Sequence, residues 1–559
     1  MSRLRDAARV RPADAAWAFA LRAGLAVAIP LVVLIPAGHT AWAGIATFGS
    51  FAALYARDTH YRSRGRVVAA AGLGLVTAVT IGTLAALTPA PAIPAVVAVS
   101  LVGAAATWLC GVFRVGPPAG LMFAFATAVS AAVPATPADL ARHAVLTAAA
   151  ALIAWLIAMA GAAFDRDAPR RLAVARALRA AAAAAEAPSG PPGLRLRHQA
   201  ATAIEKAWTA LPASPTPAAL HKGPPAGSAG PAAGSGGPAA GSGGPAEPLS
   251  AGGGLDALVA RAESALADPA SANPADLRRL AGAAAKRGPV PALSPTKAES
   301  EEISGRTRAA ALAPPPGRDL LRHSVRSTPL GGPLLLAALR VAVGALAAGS
   351  VAGALAHITG LGHAYWAAVS AVAVLQSTNL LVTIHRGIQR AAGTVAGLLV
   401  AVAVLAVPGG TWPLVALIVA AQITAELLVI RNYALAMLAV TPLALLVGEL
   451  GHATPPLDLL RDRLIQTILG CAIGLLTAAT IRTRTAARHL DKALATCTRT
   501  TDELTAAPTR ELARRLAVNL MVLREAYEIA SGEPALPPET TELVLATERR
   551  ARSALATVT

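Results

Sequence analysis

Long apolar runs are the feature of this 559-residue chain that most restricts its fold. A helix needs about 20 mostly apolar residues to cross the hydrocarbon core of a bilayer. Roughly twelve runs approach that length, six near each end of the chain, so the sequence predicts an all-α membrane protein with about twelve transmembrane helices. The runs cover residues 16–35, 41–55, 67–87, 93–112, 119–133, 144–164, 334–357, 364–383, 391–407, 412–430, 433–450 and 464–481.

The composition fits a membrane protein and argues against other classes. Hydrophobic residues make up 55% of the chain and charged residues only 14%, whereas soluble domains carry about 25% charged residues. The chain is nevertheless basic, with 49 Lys and Arg against 31 Asp and Glu and a net charge of +18. Basic residues in an apolar chain are typical of the cytoplasmic loops of membrane proteins, so the lipid bilayer rather than nucleic acid is the expected partner.

No motif for enzymatic chemistry is present in the sequence. No GxxxxGK[ST] segment occurs, so the chain lacks a P-loop with which to use ATP. Cys110, Cys471 and Cys497 are too few and too scattered for a disulfide framework or a zinc site. We therefore expect no enzyme, no metal and no cofactor. Four polar residues lack metal-ligand spacing and are expected to be solvated, namely His198, Glu205, His221 and His323.

Arginine is concentrated before the first apolar run and in every second loop after it. The alternate loops, around residues 38, 91, 134, 360 and 408, carry almost none. Because cytoplasmic loops hold the Lys and Arg excess, this pattern predicts a multi-pass protein of the plasma membrane with both termini in the cytoplasm. The arginine-rich segments contain Arg3, Arg5, Arg9, Arg11, Arg57, Arg62, Arg64, Arg66, Arg114, Arg166, Arg170, Arg171, Arg386, Arg390, Arg431, Arg482, Arg484 and Arg488.

One loop departs from this pattern. Arg461 and Arg463 precede the last apolar run on the side that is otherwise poor in arginine. Asp458 and Asp462 stand beside them and are expected to oppose their charge.

The chain also contains an internal repeat. Shifting the sequence by 324 positions superposes Gly38, His39, Trp42, Thr59, Arg62 and Arg66 on Gly362, His363, Trp366, Thr383, Arg386 and Arg390. Tryptophan occurs only seven times, so the coincidence is difficult to assign to the alanine-rich composition. Each half is thus predicted to be a six-helix unit, and because six is even the two units have parallel orientation, with any pathway between them.

The polar segments predict four regions along the chain. Residues 1–164 form the first six-helix membrane repeat, 165–330 a cytoplasmic helical insert, 331–484 the second repeat, and 485–559 a cytoplasmic helical tail. A Gly/Pro/Ala/Ser-rich stretch near 222–254 predicts a disordered linker inside the insert. Helical patterns flank this linker, one of them with Asn273 as its N-cap, and the tail is expected to form three helices.

Ionisable residues inside apolar runs are costly and are therefore functional candidates. Arg22 and Arg340 lie inside the first and seventh runs, where they either snorkel to the headgroups or line an anion pathway. The second set of arginines consists of two pairs spaced i, i+4 on one helix face, which either mark the topology or form a basic vestibule for carboxylates. These pairs are Arg62 with Arg66 and Arg386 with Arg390.

Five further residues are candidates for gating or proton coupling. Glu426 lies well inside a run and is either neutralised by Arg431 or a carrier of protons. The repeated His and Trp residues lie at the outer ends of runs and form either an interfacial aromatic belt or an outer gate with titrating histidines. They are His39, Trp42, His363 and Trp366.

The second half resembles a known family on a run of specific residues. These residues are Tyr365, Trp366, Ala367, Gln376, Arg386, Arg390, Gly393, Thr394 and Gly397, followed by Arg431, Asn432, Tyr433, Ala434, Thr441, Pro442, Arg463, Thr467 and Gly470. The pattern resembles the fusaric-acid-resistance-type, or aromatic acid exporter, family of membrane transporters. Ser377 stands where the family has Pro, and Ala69 and Ala70 stand where the first half would carry Gly-Thr.

This resemblance implies export of aromatic or other organic acids, driven by the proton gradient. It also implies kinship with six-span anion channels of plants that pair around an arginine-lined pore. On this basis the anion pathway is carried over to Arg62, Arg66, Arg386 and Arg390, and a helix-packing role to the motif residues Gln376, Gly393, Thr394, Gly397 and Tyr433.

The leading hypothesis from the sequence is a secondary exporter of small organic anions. Two alternatives stay open: a passive organic-anion channel, and a non-transporting membrane anchor for the cytoplasmic helical regions. A homo-oligomer or an accessory efflux protein stays open as a partner.

Overall fold

The fold is helical throughout the described part of the chain. The computed structural model describes residues 17–57, 59–113, 115–187, 190–211, 253–288, 290–291, 293–312, 333–376, 380–405, 410–448, 450, 456–481, 486–531 and 538–558. These residues form twenty α-helices and contain no β-strand. The N-terminal arginines, Arg114, Ser377, the pair Arg482 and Arg484, His221, His323 and nearly all of the predicted linker lie outside them.

The helices belong to two compact units. The first unit contains residues 1–166 and 315–488 with a short piece at 528–536, and the second contains 167–314, 489–527 and 537–559. The insert and the tail, which the sequence presents as separate regions, thus contribute to one unit.

Two series of six helices build the first unit. In the first series they are α1 (Trp17–Leu34), α2 (Thr40–Ser50, extended by a 3-10 turn at Phe51–Leu54), α3 (Tyr61–Ala86), α4 (Ala92–Val112), α5 (Leu121–Ala132) and α6 (Pro137–Phe164). In the second series, after the insert, they are α12 (Pro333–Thr359), α13 (Tyr365–Val374), α14 (Leu380–Leu405), α15 (Thr411–Val429), α16 (Tyr433–Gly448) and α17 (Pro456–Thr480).

Eight of these helices are long and apolar enough to cross a membrane, which confirms a multi-pass, all-helical membrane protein. They are α1, α3, α4, α6, α12, α14, α15 and α17. The other four apolar helices, α2, α5, α13 and α16, have between 10 and 17 residues, and a helix of that length is shorter than the hydrocarbon core. The count of twelve complete spans is therefore not confirmed, although each predicted run coincides with a helix.

The two series pack in corresponding ways. In each, the third helix packs against the fifth and the sixth, and the second helix against the sixth. The first helix of each series packs against the fourth helix of the other: α1 contacts α15, and α12 contacts α4. Small residues permit the closest approaches, because a Cβ on Gly49 would strike the carbonyl of Thr147 and a Cβ on Gly470 that of Ala367.

The core of the first unit draws side chains from both series. Phe48, Phe51 and Phe125 form a group of ring contacts, and the ring centroid of Trp366 lies 5.4 Å from that of Phe125. A hydrogen bond of 3.1 Å from the backbone N–H of Gly120 to Oε1 of Gln376 also joins the two series. Because Gly120 precedes the first turn of α5, Gln376 satisfies a donor that the helix itself leaves unpaired.

The described residues of the second unit form eight helices. They are α7 (Ala168–Ala185), α8 (Pro191–Ala210), α9 (Gly253–Ala267), α10 (Pro274–Ala285), α11 (Lys297–Leu312), α18 (Ala486–Ala506), α19 (Arg510–Ala530) and α20 (Pro538–Thr557). The tail forms three helices, as predicted. Asn273 caps α10 as expected, since its side-chain oxygen accepts the backbone N–H groups of Ala275 and Asp276.

Acidic and basic side chains form a buried network inside the second unit. Arg306 pairs with Glu205, Glu263 and Glu302 at 2.6, 3.1 and 3.0 Å. Arg552 pairs with Glu263, Glu302 and Glu548. These pairs join the insert helices α8, α9 and α11 to the tail helix α20. Glu205, expected to be solvated, is therefore part of an ion-pair network.

Candidate functional site

A cavity in the first unit is lined by helices of both series. Its volume is about 100 Å³, comparable with engineered protein cavities of about 150 Å³ that hold one benzene molecule. All four short apolar helices contribute to its wall, together with α14, α15 and α17. The lining residues are Phe51, Leu54, Leu121, Met122, Phe125, Trp366, Val369, Arg390, Gln422, Ala425, Glu426, Val440, Leu443, Ala444, Val447 and Arg463.

Arg463 is the most unusual residue of this wall. Its guanidinium carbon lies 3.5 Å from the ring centroid of Trp366, a cation–π contact between α17 and α13. The residue is only 2% exposed, and its Nε and Nη1 have no hydrogen-bond partner among the described residues. The indole Nε1 of Trp366 is likewise buried without a partner there. Several donors in contact with the cavity wall are thus unsatisfied.

Arg390 supplies the second guanidinium of the cavity. Its Nη1 donates to the hydroxyl of Tyr433 at 3.0 Å, and its Nη2 donates to Oγ of Ser370 at 3.3 Å. The side chain is 3% exposed, and its Nε has no partner among the described residues. Neutral hydroxyls orient this guanidinium without neutralising its charge.

The chemistry of the two arginines points to a negatively charged ligand. Within the described part of the chain, no carboxylate oxygen lies within 4 Å of either guanidinium, whereas buried charges in proteins are normally paired. Leaving a buried cation unpaired destabilises the fold, so such residues inside a membrane domain mark substrate or ion pathways. An anion bound in the cavity would satisfy both the charge and the open donors.

Glu426 lies on another part of the same wall. Its Oε2 is 3.5 Å from Nη2 of Arg57, and its Oε1 accepts a hydrogen bond of 3.2 Å from Gln422. Arg431 instead donates to the carbonyl of Leu427 at 3.2 Å. The expected pairing of Glu426 with Arg431 is therefore wrong, because the nearby cation comes from the other series, through the segment that follows α2.

Arg22 and Arg340 both lie outside the cavity wall. Arg22 donates from Nη2 to the carbonyl of Ala53 at 3.1 Å, and Arg340 donates from Nε to the carbonyl of Ile481 at 2.7 Å. Both carbonyls lie at the C-terminal end of another helix, where the macrodipole favours a positive charge. This geometry gives each arginine a structural role, and their predicted part in an anion pathway stays a prediction.

The structure does not bring the four predicted vestibule arginines together at the cavity. Arg390 lines it, whereas Arg386, one turn earlier on α14, is half-buried and lies outside the lining residues. Arg62 and Arg66 are exposed on the first turns of α3, and Nε of Arg66 donates to the carbonyl of Arg62 at 3.4 Å.

The repeated His and Trp residues have different surroundings in the two series. His39 stacks on Trp42 with ring centroids 3.9 Å apart, and the guanidinium of Arg142 lies 4.9 Å from the same indole. His39 is exposed, and Trp42 is half-buried. In the second series Trp366 is 2% exposed at the cavity, so an interfacial aromatic belt does not describe its position.

His363 and Asp462 tie the start of α13 to α17. Oδ2 of Asp462 accepts the backbone N–H of Gly362 at 2.8 Å and lies 3.3 Å from Nδ1 of His363. Oδ1 of the same carboxylate lies 3.3 Å from Arg461. Asp462 therefore opposes Arg461 as expected but not Arg463, which lies inside α17 rather than in a loop.

The glycine motif brings α14 close to α16. A Cβ on Gly393 would lie 2.6 Å from the carbonyl oxygen of Ala434, and one on Gly397 would lie 2.6 Å from that of Met437. Neither backbone could therefore accommodate a larger residue without moving. Thr394, between them, is 1% exposed and its hydroxyl has no partner among the described residues.

Sequence reasoning missed several residues of the cavity. Arg463 matches the family pattern, but its position beside Asp462 predicts a loop residue whose charge is balanced. Gln422 lies one turn before Glu426 on α15, so helical spacing could have found it. Phe51 and Phe125 carry no signal that separates a cavity wall from an ordinary core.

Known proteins support the class that these features define, a polytopic membrane protein. Residues 351–477 match the family model described as fusaric acid resistance protein-like. The matched range includes Trp366, Arg390, Glu426 and Arg463. This match of the second series to the fusaric acid resistance protein-like family model confirms the resemblance inferred from the sequence.

One curated relative covers nearly the whole chain. An uncharacterized membrane protein of Bacillus subtilis strain 168, YvaC, is 27% identical over 544 residues, which span 95% of this chain and 83% of that protein. The similarity therefore extends over both series of helices and over the second unit. No solved structure matches the chain.

Proposed function

We propose that this protein is a secondary transporter that exports small organic anions, aromatic acids among them, from the cytoplasm. The observation that carries the proposal is the pair of buried guanidiniums, Arg390 and Arg463, which face an otherwise mostly apolar cavity without a carboxylate partner. Such a site binds a carboxylate through charge-assisted hydrogen bonds and accommodates an apolar body against Phe51, Phe125 and Trp366.

The arrangement of the helices supports transport in particular. The short helices α2, α5, α13 and α16 all reach the cavity, and transporters commonly place short or interrupted helices around a binding site between two repeats. We propose that the two series are parallel repeats of six membrane segments, with both chain termini in the cytoplasm of a plasma-membrane protein. The recurring helix contacts and the alternating arginine-rich loops support this arrangement.

The proton gradient is the proposed source of energy. Without a P-loop the chain has no means of its own to couple transport to ATP. Glu426, an intramembrane carboxylate on the cavity wall, is the residue we propose for proton coupling.

Replacement of the two cavity arginines tests the proposed function. We expect the double variant Arg390→Ala, Arg463→Ala to slow efflux of radiolabelled benzoate from proteoliposomes by roughly 100-fold, because each charged hydrogen-bonding group contributes about 1.5–3 kcal/mol. The matched control, Arg62→Ala with Arg66→Ala, removes the same charge from the exposed turns of α3 and should preserve most of the flux.

Three outcomes would contradict the proposal in different ways. Unchanged efflux in the double cavity variant would exclude the arginine site. Efflux that a pH gradient does not alter would favour a passive channel. Absence of flux in the wild-type protein, across a panel of aromatic and aliphatic carboxylates, would favour a membrane anchor.

A further inference from the structure

The cavity wall carries one carboxylate in addition to its two arginines. The side chain of Glu426 is 13% exposed and lines the cavity. Its counter-charge, Arg57, lies outside the set of lining residues, at 3.5 Å from Oε2. Nη2 of Arg57 also donates to the backbone carbonyl of Glu426 at 3.1 Å, which holds the pair in place. A molecule in the cavity therefore meets the carboxylate before it meets the arginine.

The cationic and anionic groups occupy separate parts of this wall. Arg390 and Arg463 are anchored among Ser370, Tyr433 and Trp366, all in the second series. Glu426 is anchored instead by Gln422 and by Arg57 of the first series. No oxygen of Glu426 lies within 4 Å of either cavity guanidinium in the described structure. A ligand that places its carboxylate on the arginines directs its other end toward a wall that includes a negative charge.

We propose that Glu426 makes the cavity selective for anions with a single negative charge and rejects those with a second carboxylate at the far end of the molecule. This inference rests on the proposed function, since it names a property of the same site. In a cavity of low dielectric constant, two like charges repel strongly, and recognition sites use such repulsion to exclude competing ligands.

Binding of two ligands with one skeleton tests the selectivity. Terephthalate has two carboxylates, whereas monomethyl terephthalate is slightly larger but has only one, so size alone would favour the dianion. Equilibrium dialysis of the full-length protein in lipid nanodiscs at about pH 7.5, where carboxylic acids are ionised, measures both affinities. We expect the monoester to bind at least about tenfold more tightly, because the dianion meets Glu426.

The variant Glu426→Gln keeps the shape and the hydrogen-bonding capacity of the side chain. We expect it to reduce the preference to about threefold or less, mainly through tighter binding of terephthalate. The double variant Arg57→Gln, Glu426→Gln should do the same and controls for misfolding caused by loss of the Arg57–Glu426 ion pair alone. Asp458→Asn, which removes an exposed carboxylate from α17, should leave the preference unchanged.

The outcomes separate the selectivity from the proposed function. Equal binding of both ligands to the wild-type protein, or an unchanged preference in both Glu426 variants, would overturn the selectivity alone. Unchanged binding of the monoester in Arg463→Ala would overturn the arginine site. Failure of the wild-type protein to bind either ligand would overturn both.

Discussion

Single residues show why charges that are neighbours in sequence do not always pair. Arg463 follows Asp462 directly, yet adjacent residues on a helix point in different directions. Asp462 bonds to Gly362 and lies next to His363 and Arg461, while Arg463 stacks on Trp366 in the cavity wall. The absence of a carboxylate partner, which suggests an anion site, is therefore a property of side-chain direction.

In the second unit, the surroundings of each buried glutamate determine the pKa of its carboxyl group. Burial raises the pKa of Glu302 to about 7, and the nearby Glu263 carboxylate adds to this, against the attraction of Arg552 and Arg306. Burial acts on Glu205 and Glu263 as well, but Arg306 and the other guanidiniums outweigh it and lower the pKa of each to about 2.

These shifts predict that the contribution of Glu205, Glu263 and Glu302 to the stability of the second unit is greatest at mildly acidic pH. Above a pH of about 4.5, where an unfolded glutamate ionises, the folded unit holds an extra proton on Glu302, so stability falls as the pH rises toward 7. Below a pH of about 4.5 the favourable pairs of Glu205 and Glu263 are lost on protonation. Hydrogen exchange of α11 and α20 in the full-length protein, followed from about pH 5 to pH 8, measures the loss of stability as the pH rises.

Glu302→Gln isolates this effect. The variant should remove most of the loss of protection between about pH 5 and pH 7, because an amide does not titrate. The control Glu503→Gln changes an exposed carboxylate of α18 and should behave like the wild-type protein. A pH dependence that persists in Glu302→Gln would mean that another group in the network carries the proton.

Among the helices, length and small residues determine where a cavity can form. The four short helices and three long ones, α14, α15 and α17, line the cavity, whereas the long helices α1, α3, α4, α6 and α12 contribute nothing to its lining. Close packing of α14 on α16 depends on Gly393 and Gly397, which also helps to fix the position of Arg390 on α14.

Substitution at Gly397 tests the close approach of α14 and α16. In Gly397→Ala the new Cβ would lie 2.6 Å from the carbonyl oxygen of Met437 and 2.8 Å from Cβ of Thr441. We expect a loss of about 1–3 kcal/mol of stability from overpacking, measured as a lower melting temperature of the detergent-solubilised protein. Gly353→Ala on α12 is the control, since a Cβ there meets nothing within 4 Å. Equal melting temperatures in the two variants would contradict the packing role.

In the membrane domain, the first helix of each series packs against the fourth helix of the other series. Because α1 packs on α15 and α12 packs on α4, neither series forms the central cavity alone. The charged residues of the cavity wall belong to the second series, and the first series contributes apolar side chains such as Phe51 and Phe125. The second series thus supplies all of the charged groups that line the cavity, and both series supply its apolar surface.

The proposed topology predicts which positions face the outside of the cell. Single cysteines in place of Ala37 and Thr359, both exposed at equivalent ends of the two series, should react with a membrane-impermeant maleimide on intact cells. A cysteine in place of Arg166 should react only after the membrane is permeabilised. The background protein carries serine at the buried positions Cys110, Cys471 and Cys497. Labelling of positions 37 and 359 from opposite sides would exclude parallel halves.

Much of the helical architecture was predictable, because apolar runs and helix caps are local signals. All twelve runs coincide with helices, Asn273 caps α10, and the arginine-glycine motif leads to the family whose model matches residues 351–477. The lengths of α2, α5, α13 and α16 were overestimated at several ends. The predicted run 364–383, for example, continues past the end of α13 at Val374 and includes the start of α14 at Leu380. Average hydrophobicity over a run does not indicate where one helix ends and the next begins.

The candidate site was predictable only in part. Arg390, Trp366 and Glu426 were named from the sequence and lie on the cavity wall, whereas Arg62 and Arg66 were named with equal reason and are exposed. A spacing of i, i+4 places two side chains on one helix face, but it does not say which face is turned inward. Only the neighbours of α3 and α14 determine that.

The sequence by itself determined that this protein is a helical membrane protein, because hydrophobicity depends on the chain alone. Its repeated motifs and loop charges predict two related halves with basic cytoplasmic loops. The tertiary structure decided which arginines lack a carboxylate, that Glu426 pairs with Arg57 across the two series, and that short helices surround one cavity. Those features depend on contacts between residues up to 369 positions apart, and such contacts exist only once the helices have packed.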